Sequence, residues 1–117
     1  CQRWNRLHPD ENPRQSYVTE QLADGEEPVI AASDYVSAVP LSITPWIGAP
    51  YVVLGCDGFG RSEAREELRR FFEVDAENVV LAALGELAES GAYPKDKLPE
   101  AIKTLGLDPE KPTPWTV

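Results

Sequence analysis

Apolar residues fall into two regimes along this chain: short unbroken runs up to about residue 56, and helically spaced positions after it. Pro28-Val29-Ile30-Ala31-Ala32 and Tyr51-Val52-Val53-Leu54-Gly55 are continuous apolar runs of strand length between turn-forming residues. Runs of this kind mark strands buried on both faces, as parallel sheets require. Roughly seventeen residues separate them, enough for a crossover and too many for a hairpin, so parallel pairing is expected. Residues 35–47 have helical spacing broken by Pro40 and Pro45. Proline fits a first helical turn and breaks an interior, which predicts two short turns of helix, the second starting near Pro40. Ser33 or Asp34 is placed to cap the first.

In the second half the apolar period becomes that of a helix. Ala64, Leu68, Phe71 and Phe72 share one face behind Ser62 as cap. Val79, Val80, Ala83, Leu84, Leu87 and Ala88 line a second helix, capped by Asp75 and ending at Ser90-Gly91. Leu98, Ala101, Ile102 and Leu105 form a third, with Asp96 as cap and Gly106 as stop. Residues 1–16 carry Pro9 and Pro13 and read as an ordered loop or arm lying on a surface, anchored by Trp4 and Leu7. A short helix over about 16–23 follows, stopped by Gly25. The proline-bearing tail 107–117 is expected to be extended. The predicted organisation is therefore an arm (1–16), two parallel strands with a crossover (17–62), helices (63–106) and a tail. Two parallel strands leave open edges, so further strands are expected upstream of Cys1.

Composition adjusts this picture in a few places. The chain has 117 residues, 20 Asp+Glu against 11 Lys+Arg, a net charge of −9 and no Met. The missing Met agrees with a chain cut from something longer. A strongly acidic balance argues against nucleic acid and anionic membrane surfaces as partners, and no apolar run approaches a membrane span. Two cysteines and one histidine make no convincing zinc site, and two reduced thiols are the preferred reading of Cys1 and Cys56. A lipid-bearing Cys1 is disfavoured, because Gln-Arg-Trp-Asn-Arg-Leu follows it in place of a flexible tether.

The densest chemical signal is Leu54-Gly55-Cys56-Asp57-Gly58-Phe59-Gly60-Arg61-Ser62, a strand passing through a glycine-rich turn into a helix. Free amides and Arg61 favour an anion there. The glycine spacing is G-x-x-G-x-G, however, which matches neither the dinucleotide fingerprint nor the P-loop, and Asp57 adds a negative charge. The preferred reading is structural: glycines supplying positive φ, with Asp57 and Ser62 satisfying loop amides. Glu63, Arg65, Glu66, Glu67, Arg69 and Arg70 read as a solvated helix face with pairs such as Glu66–Arg70. His8 reads as a hydrogen-bonding surface residue, and Trp4, Trp46 and Trp115 as packing anchors.

The run GCDGFGRSEAREELRRFFEVD (55–75) resembles the C-terminal domain of the homodimeric bacterial pyruvate dehydrogenase component, a thiamine-diphosphate enzyme. RWNRLHP (3–9), PRQSYV (13–18), PVIAASDYVSAVP (28–40) and ENVVLAALGELAESG (77–91) agree in order. Cys56 stands where the family usually has Thr, and Gln15-Ser16 where it often has Val-Pro. The resemblance implies a transketolase C-terminal-like fold, a three-layer α/β/α unit with a mostly parallel sheet, here incomplete with its first strands missing. It implies thiamine diphosphate and Mg²⁺ in preceding domains, none in this chain, and no catalytic, cofactor or metal ligand among these residues. It further implies a bacterial cytoplasmic enzyme that decarboxylates pyruvate and acetylates lipoyl groups. Its partners would be the remaining domains of the subunit, a second subunit and dihydrolipoamide acetyltransferase. The loop residues Gly55, Asp57, Gly58, Phe59, Gly60, Arg61 and Ser62 are then expected to make structural contacts with a neighbouring domain or subunit. The alternatives are a free-standing anion- or nucleotide-binding module using that loop, and an interaction domain that binds by strand addition.

Overall fold

The structure, a computed structural model, describes residues 1–22 and 25–116. The expected helix end at 23 and the tail residue 117 lie outside the described residues.

The two apolar runs form strands β1 (Val29–Ala32) and β2 (Tyr51–Leu54), paired in parallel with Val29 opposite Tyr51 and Ala32 opposite Leu54. Backbone bonds extend the ladder at both ends, from Val29 N–H to the Pro50 carbonyl at 2.8 Å and from Ser33 N–H to the Leu54 carbonyl at 2.9 Å. The crossover holds two short turns, α3 (Ala38–Leu41) and a 3-10 turn at Thr44–Trp46. The expected boundary shifts here: Pro40 lies inside α3, and Pro45 opens the second turn. A proline in a helix this short removes no interior hydrogen bond, since the first-turn amides are unpaired in any case. Ser33 Oγ accepts from the Tyr35 amide at 3.1 Å, and so turns the chain after β1 before α3 begins.

Before the sheet lie α1 (Gln2–Leu7) and α2 (Tyr17–Leu22). The arm is thus partly helical, against the expectation of a loop. Trp4 explains how it holds: the His8 ring stacks on it at 4.3 Å and the Arg14 guanidinium covers it at 3.9 Å. Asn5 closes the arm by bonding both the N–H (2.8 Å) and the carbonyl (3.0 Å) of Arg14. Thr19 ties α2 to the crossover by donating to the Trp46 carbonyl at 2.7 Å.

After the loop come α4 (Arg65–Phe71), α5 (Ala76–Glu89) and α6 (Leu98–Thr104). Asp75 caps α5 as its sequence implies, its Oδ1 accepting from the Asn78 amide at 3.1 Å. Gly91 and Gly106 follow α5 and α6 at φ +81° and +70°, where a side chain would be strained. Two expected caps are displaced. Ala64, in extended conformation, holds the cap position of α4 in place of Ser62, because the chain stays extended into the first turn. Asp96 lies within a 3-10 turn (Lys95–Lys97) that leads into α6, and Lys97 takes the cap position. The tail is not wholly extended either, since Pro114–Thr116 forms a 3-10 turn with Pro114 buried.

Helix α5 packs against both β1 and α6. Burial is thin: among the described residues the buried hydrophobic side chains are Ile47, Val74 and Ala88, and the strands expected to be buried are mostly half-exposed. The radius of gyration is 17.6 Å, against about 13 Å for a compact domain of this length. Continuous apolar strands need cover on both faces, and these elements supply only part of it. Among the described residues no helix is long and apolar enough to cross a membrane.

Candidate functional site

β2 delivers the glycine-rich loop at the carboxyl end of the sheet. Gly55 is required by contact: a Cβ there would lie 2.7 Å from the backbone N, Cα and Cβ of Ser37. Two residues on, Asp57 grips the same residue, with Oδ1 accepting the Ser37 amide at 3.0 Å and Oδ2 accepting its hydroxyl at 2.7 Å. Ser37 is the cap position of α3, so Gly55 and Asp57 lock the loop to the crossover. The Cys56 amide adds a bond to the Tyr35 carbonyl at 2.8 Å.

The other predicted loop residues diverge in role. Gly58 has φ +89°, and a Cβ there would stand 3.0 Å from Trp115 Cα and Cβ, so the tail backs the loop at this point. Gly60 has open space around it and supplies no positive φ, so only one of the three loop glycines turns the chain in that way. Phe59 is 92% exposed. The Arg61 guanidinium lies 4.1 Å over the Phe71 ring. Ser62 is exposed, and satisfying the crossover amide falls to Asp57 alone among the described hydrogen bonds. The structure thus joins Gly55, Asp57 and Gly58 into one braced turn and leaves Phe59 and Gly60 at its tip.

Burial pushes the Cys56 thiol above its ordinary pKa, and the carboxylates of Asp34 and Asp57 push it further. Its sulfur lies 3.6 Å from the Ser33 carbonyl. A protonated, half-buried thiol is a poor nucleophile. Both cysteines are free thiols. Among the described residues no three His, Cys, Asp or Glu side chains converge as metal ligands. His8 is occupied locally, its Nδ1 2.9 Å from the Trp4 carbonyl.

Several residues at the site escaped sequence reasoning. Lys111 donates to the Arg70 (2.9 Å) and Phe71 (2.8 Å) carbonyls, capping the end of α4 and fixing the tail to it. It also lies 3.5 Å from the Glu73 carboxylate, where the chain turns through φ +62°. A lysine among prolines gives no sequence signal for this. On α4, Arg69 pairs with Asp34 at 3.6 Å. The expected Glu66–Arg70 pair does not form among the described residues, and Arg70 bonds the Gly106 carbonyl at 3.4 Å. Between the loop, the crossover and α4 lies a cavity of about 470 Å³, lined among others by Arg61, Arg65 and Arg69. The i,i+4 spacing of Arg65 and Arg69 was legible in the sequence, but their convergence with Arg61 was not.

Comparison with known proteins agrees along the whole chain. A family model described as the transketolase-like TK C-terminal domain matches residues 2–75. The chain is 54% identical over 116 residues to the pyruvate dehydrogenase E1 component of Cupriavidus necator, covering 99% of the chain and 13% of that protein. It is 51% identical over 114 residues to the protein of that name in Pseudomonas aeruginosa, covering 97% of the chain and 13% of the relative. For Escherichia coli K12 the figures are 45% over 115 residues, 97% and 13%. The chain therefore spans about 13% of the length of these relatives, matching their C-terminal portion.

Proposed function

Because the chain belongs to the transketolase-like C-terminal domain family, we propose that it works as the C-terminal part of a pyruvate dehydrogenase E1 subunit. In this reading the whole subunit decarboxylates pyruvate and passes the acetyl group to lipoyl groups of dihydrolipoamide acetyltransferase. Thiamine diphosphate and Mg²⁺ are held by preceding domains, and the present residues contribute assembly and support in a bacterial cytoplasmic homodimer. The observation that carries the reading is identity of 54% to an E1 component across 99% of the chain.

The loop has a specific place in this role. Phe59 is 92% exposed at the tip of a turn whose base is locked by Gly55 and Asp57. A rigidly presented aromatic is the kind of side chain that anchors an interface. The loop therefore contacts a neighbouring domain or the second subunit. The test is a full-length subunit carrying Phe59→Asp. We expect weaker dimerisation by sedimentation and reduced pyruvate-dependent acetylation of a lipoyl acceptor, with Phe59→Leu close to the parent protein. Unchanged assembly and activity in Phe59→Asp would remove the loop from the interface. A parent protein without pyruvate-dependent activity would overturn the reading as a whole.

A further inference from the structure

The cavity beside α4 has a chemistry that the assembly role does not use. Arg65, Leu68, Arg69 and Phe72 lie at i, i+3, i+4 and i+7, so one helix face presents two guanidinium groups and two apolar side chains to the same space. Arg61 enters from the loop, and Val74 adds to the apolar wall. Three cationic side chains thus line one cavity in a chain whose net charge is −9.

The local balance stays positive. Asp34 also lines the cavity, and its charge is matched by Arg69 at 3.6 Å. Asp57 is absent from the lining and spends both carboxylate oxygens on Ser37. Among the described residues, the ion pairs within 4.0 Å are Arg69–Asp34, Lys95–Glu89 and Lys111–Glu73, so Arg61 and Arg65 have no carboxylate partner. The Arg61 guanidinium lies 4.1 Å from the centroid of the Phe71 ring, a cation–π contact that orders it. The volume of about 470 Å³ suits a small molecule. Its place at the carboxyl ends of two parallel strands is where open α/β sheets hold ligands.

We propose that this cavity binds a small organic anion, a phosphate or carboxylate joined to an apolar group. Arg61 and Arg65 take the anionic end, and Leu68, Phe72 and Val74 take the apolar end. Arg69 offsets the charge of Asp34, which also lines the cavity, by holding it in an ion pair at 3.6 Å. The site is built from this chain's own residues and does not depend on the activity of the whole subunit.

The test is hydrogen–deuterium exchange, read by mass spectrometry, on the full natural chain with millimolar phenyl phosphate, benzoate or phenol. Phenyl phosphate or benzoate should slow exchange in peptides covering 55–74, and phenol should not. Whichever anion protects more identifies the preferred head group. Arg65→Gln, on an exposed helix position with no ion-pair partner among the described residues, should weaken the protecting anion about tenfold, the loss expected for one charge-assisted contact. Arg65→Lys should retain part of the protection. Absence of protection by both anions, equal protection by phenol, or undiminished protection in Arg65→Gln would each overturn the proposal. Protection confined to peptides outside 55–74 would do so as well.

Discussion

Two helices of this chain begin within about a dozen residues of each other and are started in opposite ways. Helix α5 starts locally: Asp75 caps its own first turn through Asn78, and an apolar stripe then runs through its 14 residues. Helix α4 has 7 residues and no side-chain cap, and the loop before it is positioned by residues far away in sequence. Ser37 meets Gly55 and Asp57, Trp115 backs Gly58, and Lys111 closes the far end of the helix. Local capping makes α5 robust. Long-range bracing makes the loop and α4 depend on the crossover and the tail together.

The loop glycines break this comparison most sharply. Gly55→Ala should cost about 3 kcal/mol, because the new methyl meets backbone atoms of Ser37 that cannot turn aside. Gly60→Ala, with open space around it, should stay within about 0.5 kcal/mol of the parent. Urea denaturation midpoints measure both, and equal losses would mean that the loop is not seated on Ser37.

The two aspartates give an intermediate effect. Asp57→Ala strips two hydrogen bonds from Ser37 and should cost about 2 kcal/mol. Asp75→Ala removes one helix cap and should cost about 1 kcal/mol. A larger loss at Asp75 than at Asp57 would reverse the contrast between local and distant support.

The smallest effect concerns the cysteines. Cys1 is exposed, whereas Cys56 is half-buried with its pKa raised by burial and by Asp34 and Asp57. Iodoacetamide near neutral pH should alkylate Cys1 first. For linkage, a thiol whose folded pKa is raised supports folding fully below its unfolded-state pKa and loses that contribution as pH rises through the higher folded value. Cys56→Ser should therefore flatten the alkaline side of the stability profile.

Much of the fold was legible because it follows from local rules. The strands, α5 with its Asp75 cap, and the stops at Gly91 and Gly106 lie where apolar period, short polar side chains and glycine dictate. The two displaced caps share one cause. Ser62 and Asp96 have the chemistry of caps, but whether a polar side chain caps a helix depends on where the backbone leaves its extended state, which its neighbours decide. The arm's helix depends on Trp4 being enclosed by His8 and Arg14, a contact that no periodicity announces.

By itself, then, the sequence determined the two strands, the three helices after the loop, the parallel pairing and the family, because each rests on short-range pattern or on direct residue identity. Only the tertiary structure decided which glycine of the loop is indispensable, that Lys111 closes α4, and that Arg61, Arg65 and Arg69 share one cavity. Those facts join residues from separate elements, and such meetings are fixed by the packing of the chain as a whole.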